Sequence, residues 1–128
     1  MRIGFDAKRA FSNYTGLGNY SRNTIRVLDE FYPKNQYFLF TPKFTENKRL
    51  DFIEGKNNIH TIYPKNIFNK IISSYWRTKN IVQQIKDNKI DLYHGLSHEL
   101  PIGIENINIK KVVTIHDLIY LRYPKLFS

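Results

Sequence analysis

Apolar residues in this chain gather into five short dense runs, and the stretches between them carry a helical period or a polar loop. The first run covers residues 2–6, Arg-Ile-Gly-Phe-Asp, and reads as a short buried strand. Residues 37–41 are aromatic and β-branched and stop at Pro42, which predicts a second strand. Residues 59–63 make a third, closed by Pro64. Residues 91–94 make a brief fourth that ends at Gly95. Residues 111–115 make a fifth, wholly β-branched after Lys111, with His116 and Asp117 directly at its end. Between the first two runs, Tyr20, Thr24, Val27, Leu28 and Phe31 recur with a helical period, which predicts a helix over 19–32 stopped by Pro33. Residues 7–18 read as a polar, glycine-containing loop, and the charged stretch 45–56 as loop or weak helix. The longest helical signal is 67–89. There Phe68, Ile71, Ile72, Tyr75, Val82 and Ile85 form a stripe opposite Lys70, Arg77, Asn80 and Gln84.

Strands alternating with helices imply parallel pairing through right-handed crossovers. Strands that are continuously apolar, rather than alternating, imply burial on both faces. The predicted fold class is therefore α/β, a Rossmann-like doubly wound parallel sheet with helices on both faces. At 128 residues the chain suits a single domain over 1–128. Such a sheet takes its ligands outside the carboxyl ends of the strands, near the reversal in strand order.

Composition removes several classes. Cysteine is absent, so there is no disulfide framework, thiolate chemistry or Cys-based zinc site. No apolar run approaches the length of a membrane span, and Asp6 interrupts any leader-like start, so a cytoplasmic compartment is expected. The formal charge of +9 is spread along the chain without a basic tail or stripe. It would attract polyanions in general, and no recognised nucleic-acid module accompanies it, so no nucleic-acid partner is expected. The basic face of 67–89 suits peripheral contact with an anionic membrane as a secondary role, its apolar stripe being core.

Three groups stand at predicted carboxyl ends. Gly16, Leu17 and Gly18 precede the first long helix, where bare backbone amides and a helix N-terminus suit an oxyanion. An ordinary turn would use the same glycines. The dinucleotide fingerprint is absent: Ser21 holds the third glycine position, and no acid ends the second strand. His94 follows the fourth strand. His116 follows the fifth, where an imidazole that can donate or accept near neutral pH would point into the ligand crevice. Asp117 beside it would cap the next turn or fix an imidazole. His94 and His98 are four apart, but Gly95 and Pro101 argue for a loop and no third ligand is evident, so no metal is expected. His60, inside a strand pattern, reads as structural.

These residues carry a resemblance. Residues 2–8 (Arg-Ile-Gly-Phe-Asp-Ala-Lys), 15–23 (Thr-Gly-Leu-Gly-Asn-Tyr-Ser-Arg-Asn), 91–95 (Asp-Leu-Tyr-His-Gly) with Leu100-Pro101, and 112–118 (Val-Val-Thr-Ile-His-Asp-Leu) with Arg122-Tyr123-Pro124 follow one another in order. Together the chain resembles the N-terminal, acceptor-side domain of a GT-B glycosyltransferase of the retaining family 4 type. The loop differs from the family's frequent double glycine in having Thr15. The resemblance implies a cleft between two Rossmann-like domains. On this reading 1–128 is an incomplete N-terminal domain, truncated, with the donor-binding C-terminal domain absent. Gly16, Leu17 and Gly18 would approach the donor diphosphate or sugar. His116, with Asp117, would serve the reacting centre, and Lys8, Arg9, Tyr20 and His94 would serve the acceptor. It implies a nucleotide-sugar donor as co-substrate, no resident cofactor, no obligatory metal, and a sugar or lipid-linked acceptor of a bacterial surface polysaccharide or glycolipid. The fragment alone is expected to be inactive. The alternative is a stand-alone α/β module that binds a nucleotide or phosphate ligand for regulation, without catalysis.

Overall fold

The computed structural model describes residues 1–64 and 80–126. Five strands, β1 (Arg2–Asp6), β2 (Gln36–Phe40), β3 (Ile59–Ile62), β4 (Leu92–Gly95) and β5 (Lys110–Val113), form one sheet in the order β3-β2-β1-β4-β5. Every pairing is parallel. The order reverses between β1 and β4, where Phe5 stands beside Leu39 on one side and His94 on the other. This is the doubly wound, Rossmann-like α/β arrangement that the sequence predicts, and each strand lies within a residue or two of its predicted run.

Alternate side chains of each strand feed two cores. On one face Ile3 and Phe5, Tyr37 and Leu39, and Ile59 pack with Ala10 and Phe11 of α1 (Lys8–Ser12), Ile25 of α2 (Gly16–Phe31) and Leu50 of a 3-10 segment, Lys48–Ile53. On the other, Phe38, Phe40 and Tyr93 pack with Ile81 and Ile85 of α3 (Ile81–Asp87), Ile90, Ile104 and Ile107. Each fully buried side chain of this size contributes about 1.5–3 kcal/mol. α3 is the end of the helix predicted over 67–89; residues 67–79 of that prediction lie outside the described residues.

Two expectations change. Residues 7–18 are not one loop: α1 occupies Lys8–Ser12, and α2 begins at Gly16, three residues before the predicted start. One turn of helix is too short to show a period, yet Ala10 and Phe11 are enough to seat it. The side of α2 that goes inward is also different. Gly18, Ser21, Arg22, Ile25 and Asp29 are buried, while Tyr20, Val27 and Phe31 are exposed by 37%, 40% and 68%. The buried polar members each find a partner, which an apolar-periodicity argument cannot register. Ser21 Oγ donates to Leu17 O at 2.9 Å. Asp29 accepts from Asn58 Nδ2 at 2.6 Å and pairs with Lys56 at 2.9 Å. β5 is exposed along its length, because it is the sheet edge and no helix among the described residues covers it.

Two glycines are fixed by close backbone approach. A Cβ on Gly18 would overlap the Asn13 carbonyl oxygen and lie 2.9 Å from Arg9 O, because the end of α1 folds directly onto the start of α2. A Cβ on Gly95 would likewise overlap Glu99 O, where the loop after β4 doubles back.

Candidate functional site

The start of α2 is organised by Asn13. Its Oδ1 accepts from Thr15 N at 2.9 Å, Thr15 Oγ1 at 2.8 Å and Gly18 N at 2.9 Å. Of the three residues predicted to cradle an oxyanion, Gly18 therefore has its amide engaged and its missing side chain explained by packing. Gly16 has open space around it, and with Leu17 it forms the first turn of the helix.

One turn further on, Tyr20 reaches across to the loop that follows β5. Its ring meets the His116 ring edge-on at 4.7 Å between centroids. Its hydroxyl lies 3.1 Å from Thr114 Oγ1. That same Oγ1 is 2.7 Å from His94 Nε2. Thr114 thus joins the carboxyl ends of β4 and β5 to the N-terminal part of α2. Its backbone does so as well: Thr114 N–H donates to Gly95 O at 2.9 Å, and His98 N–H donates to Thr114 O at 2.9 Å.

His116 is oriented by the loop after β4. Its Nε2 lies 2.6 Å from Leu96 O. A carbonyl only accepts, so Nε2 is the donor here and Nδ1 is left for another partner. The His98 ring packs on His116 at 5.2 Å. His98 itself sits in the left-handed region at φ 65, a conformation that His adopts more readily than most non-glycine residues. His94 is half-buried against Phe5, and burial lowers its pKa by penalising the imidazolium. A neutral His94 suits its bond to a neutral threonine hydroxyl.

The predicted residues therefore separate into two sets. Tyr20, His94 and His116 come together at one rim of the sheet, immediately past Gly16, Leu17 and Gly18. Asp117 closes its own turn: Oδ1 accepts from Ile119 N at 2.8 Å at the start of the short α4 (Ile119–Arg122), the capping role rather than the imidazole-fixing one. Lys8 and Arg9 lie in α1 just beyond β1, and no hydrogen bond or ring contact joins either to the histidines. Thr114 and His98 complete the cluster; the spacing of His98 from His94 suggests only a metal pair, and nothing in residue type or pattern marks Thr114 as a binding residue. The signal available is Thr114 two residues before His116 at the end of a β-branched run.

An apolar groove of about 500 Å³ opens beside His94, between the Thr24–Val27 side of α2 and Leu92 and Val112 of the sheet. No group of three or more His, Asp or Glu side chains is placed to hold a metal among the described residues. His60 is a sheet residue, 2.8 Å from Gln36 Oε1 and stacked on Phe38 at 4.9 Å. Among the described residues no helix is long and apolar enough to cross a membrane.

No family model, curated protein or solved structure matches this chain. The class of protein defined here is thus the fold itself, a Rossmann-like α/β domain with a histidine cluster at the carboxyl rim of its sheet.

Proposed function

We propose that the chain is the acceptor-side domain of a retaining, nucleotide-sugar-dependent glycosyltransferase of the GT-B type, acting on a sugar or lipid-linked acceptor. The observation that carries this reading is the convergence of Tyr20, His94 and His116 through Thr114, next to the first turn of α2. These groups are up to 96 residues apart in the sequence (116 minus 20) and belong to three of the four motifs on which the resemblance rests.

Sugar transfer builds negative charge on the departing diphosphate and positive charge on the sugar. The Gly16 and Leu17 amides and the positive end of α2 would meet the first of these. His116, held by Leu96 O, would offer Nδ1 to a sugar hydroxyl, and Tyr20 and His94 would line the acceptor side. The apolar groove beside His94 suits the hydrocarbon part of a lipid-linked acceptor, and peripheral contact with an anionic membrane would bring that acceptor within reach. A second domain would supply most donor contacts and exclude water on closing.

Ligand-observed and histidine-ring NMR with a panel of saccharides and nucleotide-sugars tests the reading. Saccharides should move the His94 and His116 ring signals, and His116→Ala should abolish the response while the far-UV spectrum is kept. The chain alone should transfer no sugar. A panel at millimolar concentration that leaves both rings unmoved would sink the assignment, and so would turnover by the chain alone.

A further inference from the structure

The flank of α2 that faces the 3-10 segment Lys48–Ile53 gathers positive charge. Asn19, Arg22, Asn23 and Arg26 are spaced three, four and seven residues from the first, so they share one helix face. The 3-10 segment Lys48–Ile53 lays Arg49 against them. These residues, with Tyr20, line an open cleft of about 630 Å³, and no carboxylate contributes to its wall.

The three arginines are held in different ways. Arg22 is 2% exposed, and its Nη1 donates to Ala10 O at 2.8 Å and Asn13 O at 2.6 Å. Its Nη2 donates to Asn19 Oδ1 at 2.7 Å. Arg49 Nη1 donates to Tyr14 O at 2.9 Å and to the same Asn19 Oδ1 at 3.3 Å, so one amide oxygen bridges two guanidinium groups. Arg26 lies over the Phe52 ring at 5.6 Å. All these acceptors are neutral. Among the described residues none of the three arginines has a carboxylate partner. Burial, then Arg49 and Arg26 as like charges, lowers the Arg22 pKa, while Tyr14 opposes them. Three cations drawn together on neutral acceptors repel one another, and a guanidinium has five N–H donors in a fork that fits tetrahedral oxyanions.

We propose that the cleft lined by Asn19, Arg22, Asn23, Arg26 and Arg49 is a binding site for a phosphoryl or diphosphoryl group. The two forks of Arg26 and Arg49 clamp the oxyanion, Asn23 adds an amide donor, and the anchored Arg22 supplies fixed charge behind them. The site rests on its own arginines, and it borders the histidine cluster through Tyr20 and the apolar groove through Asn23. Its phosphate has two chemical sources, a soluble phosphate ester or the headgroup of an anionic lipid.

The test uses inorganic pyrophosphate and the whole chain at constant ionic strength set with sodium chloride. Pyrophosphate should shift the backbone amide signals of residues 19–26 and 48–51 and raise the melting temperature. Arg49→Gln and Arg26→Gln should each weaken binding at least about tenfold, the order expected for losing one charge-assisted contact. Arg26 makes no hydrogen bond that the fold needs, so its variant remains informative if Arg49→Gln is poorly folded. Lys86→Gln, on α3, removes the same charge elsewhere and should bind as wild type. Sedimentation with phosphatidylglycerol vesicles, against phosphatidylcholine, separates the sources. Binding to anionic vesicles that is lost in Arg26→Gln identifies a headgroup, and pyrophosphate binding without vesicle binding identifies a soluble ester. Equal weakening by Lys86→Gln, or shifts scattered over the whole surface, would reduce the effect to net charge and overturn the site.

Discussion

Replacing Gly18 with alanine tests how the start of α2 is built. A methyl at this position would overlap the Asn13 carbonyl oxygen, sit 2.7 Å from the Asn13 carbonyl carbon and 2.9 Å from Arg9 O. All are backbone atoms, so the clash is relieved only by moving the end of α1 away from α2. That movement stretches the Asn13 cap on Gly18 N, now 2.9 Å, and the bonds from Arg22 Nη1 to Asn13 O and Ala10 O, now 2.6 and 2.8 Å. Loss of a cap costs about 0.5–2 kcal/mol. Each hydrogen bond from a charged donor is worth about 1.5–3 kcal/mol. Alanine recovers about 0.5–1 kcal/mol of helix propensity. The net expectation is a destabilisation of about 3 kcal/mol, a large part of the ~5–15 kcal/mol available to a domain. Gly16, two residues earlier in the same helix, is the control. A methyl there would meet nothing within 4 Å, so Gly16→Ala should be neutral or stabilise by up to about 1 kcal/mol. Urea denaturation followed by far-UV circular dichroism measures both. Equal effects of the two substitutions, or a Gly18→Ala change under about 0.5 kcal/mol, would refute the close-packing account.

Further predictions concern pH and the polar core. Burial depresses the His94 pKa, so the folded state resists its protonation. Its contribution is whole above the unfolded value of about 6.5 and is lost as pH falls through the depressed folded value. His94→Gln should flatten the stability profile across that window, and an unchanged slope would assign it to another group. Asp29 is buried, which alone would raise its pKa, but bonds from Asn58 and Lys56 prevail and lower it. Its contribution is present above about pH 4 and disappears below, as the carboxylate is protonated. Asp29→Ala should cost about 1–3 kcal/mol in a urea titration at neutral pH, because it leaves the half-buried Asn58 amide without its carboxylate acceptor. Lys56→Gln, at the half-exposed end of the pair, should cost under about 1 kcal/mol.

What the chain alone determines is the layer order. The run at 37–41 reads as a strand because its aromatic and β-branched residues suit a sheet covered on both faces, and Pro42 and Pro64 stop the second and third runs by removing a donor. Parallel connectivity follows from the alternation of strands with helices, and a doubly wound order sets the first and fourth strands side by side, with the α2 start, His94 and His116 at their carboxyl ends. What only the tertiary structure decided is which polar groups are interior. Arg22 and Asp29 are buried because backbone carbonyls and Asn58 from other segments satisfy them, and those partners come from 9 to 29 residues away. Likewise, Thr114 becomes the link between three elements only once β4 and β5 pair. Hydrophobic periodicity measures the cost of removing a side chain from water; it carries no record of the distant partner that offsets that cost.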